Sequence, residues 1–203
     1  MSEEKVSYYE NFSEIEKKLW NLLTEAVKDR NSEFRTPVFI CGNDKDLDGR
    51  VVVLRKADQK NNFIQFHSDI RSSKIEKIKK NPNSSILFYG KKEKIQLRLK
   101  VECEINFNNK TTKESWEKTG HVSRKCYLVT NGPGTLSESP TSGLNGKFDN
   151  FDFSKEESEE GYKNFSVIKC KIKSIEWLYL AAKGHRRALI SFEGSKKFTW
   201  LVP

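Results

Sequence analysis

Apolar positions along the chain change their spacing several times, and each change marks an element. Ile15, Leu19, Leu22, Leu23, Ala26 and Val27 recur three and four residues apart. That is the period of one helix face and predicts an amphipathic helix over 13–29, inside an N-terminal segment of residues 1–31. Ser13, with Glu16 three residues on, predicts a capping box at its start. The spacing then shortens. Thr36–Cys41 is a brief apolar run ending at Gly42, and the cluster NDKDLDG at 43–49 reads as a turn. Arg50–Lys56 (RVVVLRK) and Phe63–His67 (FIQFH), separated by ADQKNN, predict a hairpin. Ser72–Lys80 carries Ile75 and Ile78 at i, i+3, predicts a short helix with Ser72 or Asp69 as its cap, and stops at Asn81-Pro82.

The second half is richer in strands. Ser85–Tyr89 and Ile95–Phe107 flank the basic turn GKKEK. In the latter, Ile95, Leu97, Leu99, Val101, Cys103 and Ile105 alternate with Gln96, Arg98, Lys100, Glu102 and Glu104, so one face is buried and the other polar. A polar helix carrying Trp116 is predicted over 111–119. Residues 131–161 mix turn formers with acidic residues at 156–160 and predict a long surface loop, a length that within a compact domain often serves function. Strands resume at Phe165–Ile175, Glu176–Leu180, Ala188–Phe192 and Phe198–Val202. About eight hairpin-connected strands with three helices predict a mainly β, α+β fold: one domain over 1–203, a closed antiparallel barrel with peripheral helices.

Composition narrows the function classes. No apolar run approaches the ~20 residues of a helical membrane span. The four cysteines, Cys41, Cys103, Cys126 and Cys170, lie far apart with no CxxC, and the three histidines form no compact metal motif. A disulfide scaffold and a zinc site are both disfavoured, no metal is expected, and a reducing cytoplasmic location is the natural expectation. Net charge is +9, from 37 Lys and Arg against 28 Asp and Glu. A basic chain invites a nucleic-acid partner, but the lysines are dispersed, and strand aromatics such as Phe63, Phe66, Phe88 and Phe192 fall on the face that should be core. A solvated basic surface is the simpler reading.

Catalytic constellations are scarce. There is no GxSxG elbow, no phosphate-binding Walker loop and no strand–GxGxxG–helix unit. Cys126 beside Tyr127 and Leu128 reads as a small core residue rather than a nucleophile. Cations and hydroxyls, however, recur at strand ends. Arg50 opens one strand and Arg55 lies near its end; His67-Ser68-Asp69-Ile70-Arg71-Ser72-Ser73-Lys74 then leads into a helix. Hydroxyls and a lysine at a helix start suit an anion, although Ser72 as an ordinary cap explains the segment equally well. Gln96 adds an amide on the polar face of its strand.

In this order and spacing, RVVVLRKAD, FIQFHSDIRSSK, NPNSSILFYG and IQLRLKVECEI resemble the pyridoxamine 5′-phosphate oxidase family. More closely, the chain resembles the related FMN-binding group with a DxRSxK segment, here Asp69 to Lys74. GPG at 132–134, the stretch KNFSVIKCKIKSIEWLYL followed by HRR, and the closing Trp-Leu-Val-Pro fit the same group, so the likeness spans roughly 35–203. The resemblance implies an FMN-binding split β-barrel, a homodimer, and FMN in clefts between subunits. By position, Arg50 and Lys74 with Ser72 or Ser73 would hold the FMN phosphate. The backbone of Val51, Val52 and Val53 would lie along the flavin ring, and His67 and Ser68 beneath the ribityl chain. Gln96 would bind the ring's polar edge, with Trp177 (or Leu178 in its place) and Arg187 closing the cleft from the other subunit.

The family's substrate residues match less well. Lys183-Gly184-His185 stands where an Arg-x-His pair is expected, Arg55 where a lysine is, and Trp116, Gly120 and Arg124 do not supply the family's phosphate-holding set. The resemblance thus implies a flavoprotein, an oxidoreductase passing hydride to FMN N5 from a small substrate that in the vitamin B6 version is phosphorylated. Arg55, Lys183 and His185 are its candidate substrate contacts. A non-catalytic FMN-binding or sensing barrel is the alternative, and a nucleic-acid-binding barrel a weaker one.

Overall fold

The computed structural model describes residues 10–144, 146–148 and 153–203; residues 1–9 of the N-terminal segment and positions 145 and 149–152 of the expected loop lie outside it. Helix α1 (Phe12–Lys28) buries Ile15, Leu19, Trp20, Leu22, Leu23 and Ala26. Its cap is Asn11, whose side chain accepts from the N–H groups of Ser13 and Glu14 at 2.9 and 3.2 Å. Ser13 already lies in the first turn, so the expected Ser13–Glu16 capping box does not form.

Among the described residues nine strands make one antiparallel sheet. They are β1 (Val38–Asn43), β2 (Asp46–Val51), β3 (Leu54–Asp58), β4 (Phe63–Asp69), β5 (Asn83–Gly90), β6 (Ile95–Phe107), β7 (Phe165–Tyr179), β8 (Arg186–Ser191) and β9 (Lys197–Leu201). Helix α2 (Ser73–Lys80) packs on β1 and β6, and α3 (Lys110–Glu117) on β6 and β7. Short helices α4 (His121–Arg124) and α5 (Lys155–Ser158) follow. Two expectations shift at the first hairpin. Most of NDKDLDG is strand, paired with β1 from Asp46 opposite Asn43 to Val51 opposite Val38, so only Asp44 and Lys45 turn. The run RVVVLRK is not one strand either; it breaks at Val52-Val53, where the Val52 N–H donates to the Pro37 carbonyl.

That break explains how the barrel is split. The strand order β2-β1-β5-β6-β7-β4-β3 leaves β2 and β3 at opposite ends of the path, with no ladder between them among the described residues. The expected closed barrel is therefore open at a seam, crossed by the covalent link Val52-Val53. The two strands expected at 165–175 and 176–180 are one, β7. It pairs with β6 along nearly its whole length and carries β4 beside its first half and β8 beside its second. A bulge at Lys173 divides the halves, since Lys100 faces Ser174 while Val101 faces Ile172. The core lies inside this fold, with Phe39, Ile86, Leu97, Leu99, Ile168, Ile175 and Trp177 at 0–1% exposure.

A cationic cradle and a basic cavity

Register decides which side chains meet. Arg50 pairs with Phe39, Phe39 with Ile86, and Ile86 with Leu99, so Arg50 belongs to the core-facing row, at the end closed by α2. Ser68 is on the core-facing side of β4, with Ile64 and Phe66. From these elements Arg50, Ser68, Ser72, Ser73 and Lys74 converge. Lys74 Nζ donates to Ser68 Oγ and Ser72 Oγ, both at 2.9 Å. Arg50 donates to Ser72 Oγ at 3.3 Å and Ser73 Oγ at 3.1 Å, and also pairs with Asp48. Ser72 is the N-cap residue of α2 but makes no side-chain cap bond. Its hydroxyl is turned to the two cations, which rules out ordinary capping as the account of this segment.

The cradle's charge is incompletely answered. Arg50 Nε is buried without a partner among the described residues. Burial first, and the nearby Arg50 charge second, draw the Lys74 ammonium down to about 8. Two cations and three hydroxyls gathered at one barrel end suit a phosphate dianion, which would supply the missing negative charge. In the same segment Asp69 and Arg71 do other work. Their ion pair, at 2.7 Å, orients the Arg71 guanidinium onto the carbonyls of Val129 and Thr130 at 3.1 and 3.0 Å. This pins the start of the 131–144 loop, whose neck is closed by the Val129–Leu144 bridge and by Thr130 N–H on the Gly143 carbonyl. A Cβ on Gly132 would lie 3.0 Å from Arg71 Cβ, so the loop passes close against this brace.

On the opposite face of β4 lies a cavity of about 570 Å³ beneath α3. Phe63, Gln65 and His67 form its floor, and Arg55 enters from the bulge between Leu54 and Lys56. Arg30, Arg55, Lys56, Lys118 and Lys169 line it against the single carboxylate of Glu114. The Lys56 and Lys169 ammonium groups sit 4.9 and 4.6 Å from the Phe63 ring centroid. Arg55 Nε and His67 Nδ1 are buried without partners among the described residues. Burial, and then the Arg55 charge, hold the His67 imidazole down to about 3, so it is neutral at ordinary pH.

The expected site residues thus divide. Arg50, Ser68, Ser72, Ser73 and Lys74 come together, while His67, adjacent to Ser68, faces the cavity instead of the cradle. Val51 is exposed, Val52 buried and Val53 between them, all at the seam. Trp177 is corrected outright: it is fully buried, opposite Leu97 and Ala188, and cannot close a cleft. Strand alternation turns its neighbour outward, and Gln96, Leu178 and Arg187 form one row across β6, β7 and β8. Arg187 also bonds Glu176 at 2.8 Å. Lys183 and His185 are exposed at the β7–β8 turn, where His185 Nδ1 accepts from the Ala181 N–H. Arg55 joins the cavity, and also borders a second one of about 930 Å³ formed with the 129–144 loop and Cys126. Cys126 is exposed, not a core residue.

Arg124 is equally distinct from a ligand contact. It is 1% exposed, donates to the Thr119 and Trp116 carbonyls and to Ser158, pairs with Glu159, and lies 4.4 Å from the Trp116 ring. The lining positions are one residue earlier: Ser115, Thr119 and Ser123 border the cavity while Trp116 and Arg124 point inward. A hydroxyl every fourth residue was the available signal.

Comparison with known proteins agrees with this fold. Residues 17–106 match the family model described as pyridoxamine 5′-phosphate oxidase, FMN-binding domain. Among curated proteins none matches. A pyridoxamine 5′-phosphate oxidase-related, FMN-binding protein of Nostoc punctiforme PCC 73102 superposes with a TM-score of 0.73 at 15% identity, covering 100% of both chains. PhzG from Burkholderia lata 383, solved in complex with tetrahydrophenazine-1-carboxylic acid, gives 0.71 at 12% identity over 98% of each chain. At such identities the likeness establishes the fold. The chain therefore has the split-barrel fold of these proteins, and its residues 17–106 are similar to the pyridoxamine 5′-phosphate oxidase, FMN-binding domain.

Proposed function

We propose that the protein binds FMN through the Arg50–Lys74 cradle and acts as an FMN-dependent oxidoreductase on a small anionic substrate. One observation carries the reading: two partly buried cations, with one guanidinium nitrogen unpartnered and the lysine drawn to about 8, meet three serine hydroxyls at a barrel end. In this reading Arg50 and Lys74 hold the phosphate by charge, and Ser68, Ser72 and Ser73 turn their hydroxyls to its oxygens. When bound, FMN supplies a hydride acceptor at N5. The chain's own groups bind and orient. Arg55, Lys56, Lys118 and Lys169 draw an anionic group into the cavity, and the neutral His67 offers it one donor and one acceptor. PhzG, which shares the fold, is known with a carboxylic acid, as the charge of this cavity would favour.

The assignment of Gln96 and Arg187 requires two subunits. Arg50 lies in the core-facing row, whereas Gln96, Leu178 and Arg187 lie in an outward row, so one chain cannot bring both to the same ligand. A second copy can. Exposed Leu47, Val51 and Tyr89 extend the apolar part of that outward surface, which supports a homodimer. The test is to purify the protein, release its flavin by denaturation and identify it. The FMN-loaded form is then mixed anaerobically with pyridoxamine 5′-phosphate, NADH and NADPH while flavin bleaching is followed. FMN retention with bleaching by at least one reductant is expected. Retention with no bleaching by any leaves a non-catalytic FMN-binding barrel, and failure to retain FMN removes both readings.

A further inference from the structure

Cys103 and Cys170 stand directly opposite each other on β6 and β7, with their sulfurs 3.4 Å apart. The Cys103 N–H is directed away from β7, donating to the Pro82 carbonyl at 2.9 Å. Cys103 therefore occupies a non-hydrogen-bonded position relative to β7, the antiparallel site at which Cα atoms approach to about 4.5 Å and side chains lie closest. That separation falls within the range a disulfide spans. Cys170 is fully buried, and Cys103 is 6% exposed. On the same face, Ser84 stands opposite Val101, next to Cys103, and lines a surface cavity of about 430 Å³ with Lys100, Val101 and Lys173. Contact with the Cys170 sulfur, and then Ser84, holds the Cys103 thiol below its ordinary range against the effect of burial. Burial raises the Cys170 thiol. Cys103, the more exposed of the two and next to Ser84, is the sulfur a reagent reaches first, and Cys170 is the resolving partner.

We propose that Cys103 and Cys170 form a redox site that a small peroxide, entering beside Ser84, converts to a cross-strand disulfide joining β6 to β7. The chemistry closes without another reagent. Cys103 sulfur attacks one peroxide oxygen and the O–O bond breaks; the released hydroxide takes the thiol proton and leaves as water. Cys170 sulfur then attacks the Cys103 sulfenic sulfur. The S–S bond forms, the S–O bond breaks, and hydroxide leaves with the Cys170 proton as a second water. Two thiols lose two electrons and two protons, and one hydrogen peroxide becomes two waters. The cross-link joins residues 67 apart in sequence, so it restricts the unfolded chain strongly. Cys126, exposed and with its sulfur on the Ser123 carbonyl, stands apart from this pair; Cys41 is buried beside the same cavity as Ser84 and near Cys103, but among the described residues no sulfur contact joins it to either member of the pair.

The experiment treats the full-length protein with hydrogen peroxide, then denatures and alkylates it and maps the four cysteines by peptide mass. The expected result is a Cys103–Cys170 linked peptide pair, reversed by dithiothreitol, with Cys41 still alkylated. The Cys126→Ser variant should form the link unchanged. Its thermal midpoint after oxidation should rise by about 5–15 °C, as a cross-link over a loop of this size implies. If Cys126 alone is oxidised, or if Cys103 and Cys170 both remain alkylatable when peroxide is in large excess, the proposal is wrong. Because the mapping uses unmutated Cys103 and Cys170, no result depends on a core variant folding. It is also independent of whether FMN is bound.

Discussion

Lys74 offers the sharpest test of the cradle, because the structure assigns it opposite effects on stability and on binding. Its ammonium is half-buried, held by the hydroxyls of Ser68 and Ser72, and faces Arg50. Burial first and Arg50 second lower it from 10.5 to about 8. Between about pH 8 and 10.5 the unfolded chain therefore binds more protons than the folded one, so the stability of the FMN-free protein rises with pH through that window. Below pH 8 the cost of the buried charge is fully present. A fall of this size corresponds to at most ~3.4 kcal/mol, and solvent screening at a half-buried side chain brings the realistic figure to about 1–2 kcal/mol.

Lys74→Met removes that cost but leaves two hydroxyls short of a donor, which returns roughly 0.5–1 kcal/mol. At pH 7 the FMN-free variant is expected to be as stable as the parent or more so, by up to about 1 kcal/mol. Its FMN affinity is expected to fall by about 1.5–3 kcal/mol, on the order of 10- to 150-fold, through loss of a charge-assisted contact. In the parent, affinity should also decline above pH 8 as Lys74 deprotonates, a decline the variant lacks. Calorimetric titration with FMN and thermal unfolding of the flavin-free protein measure the two effects separately. A variant that loses about 2 kcal/mol of stability while keeping its FMN affinity would refute the argument, because Lys74 would then be a structural residue.

Other consequences are equally direct. His67, lowered from 6.5 to about 3, binds protons in the unfolded chain first, so stability is lost as pH falls from 6.5 towards 3; His67→Gln should flatten that part of an acid-unfolding curve, and an unchanged curve would argue against a buried neutral imidazole. Arg124→Met strips the Trp116 and Thr119 carbonyls, Ser158 and Glu159 of their shared donor, and should cost about 1–3 kcal/mol in chemical denaturation through the carbonyls left unpaired, Glu159 being half exposed. Arg71→Ala should speed protease cleavage within 130–144; an unchanged cleavage rate would show that the brace on Val129 and Thr130 is dispensable. Leu178→Glu, placed in the outward row between Gln96 and Arg187, should convert a dimer to monomer in sedimentation and weaken FMN retention with it. A monomeric parent that retains FMN fully would overturn the two-subunit cleft.

Strand periodicity made much of the sheet legible. The bounds of β6 are those expected, and the alternation from Ile95 to Ile105 matches its facing, because one face is core and the other is not; at the end the pattern reverses, with Asn106 buried and Phe107 exposed. The errors have local causes. Asp46–Gly49 looked like a turn because Asp and Gly favour turns, yet an edge strand with an exposed side tolerates such residues, and pairing with β1 outweighed their propensity. RVVVLRK looked like one strand since nothing polar or small interrupts it. Its break comes from tertiary geometry: the chain must leave the β2 edge and reach β3 on the other side of an open barrel, and no residue type announces that.

At the site, residue types were legible and directions were not. That Arg50, Ser72, Ser73 and Lys74 converge was recoverable because cations and hydroxyls at element ends are brought near one helix start by spacing alone. Whether a side chain faces in or out turns on a single-residue register. One step exchanges Trp177 for Leu178 in the outward row of Gln96 and Arg187, and Arg124 for Ser123 at the cavity wall. For Trp177 the deciding term is burial: an indole removed from water on the barrel's inner face stabilises the fold by roughly 1.5–3 kcal/mol or more, so the larger apolar side chain takes the core position and leucine is left outside. For Arg124 the deciding term is different. A planar guanidinium that finds two carbonyls, a hydroxyl and a carboxylate can be buried, where a serine at that position could satisfy only one of them. The same constraint turns Ser115, Thr119 and Ser123 to the cavity, so its hydroxyl lining follows from how Arg124 and Trp116 pack.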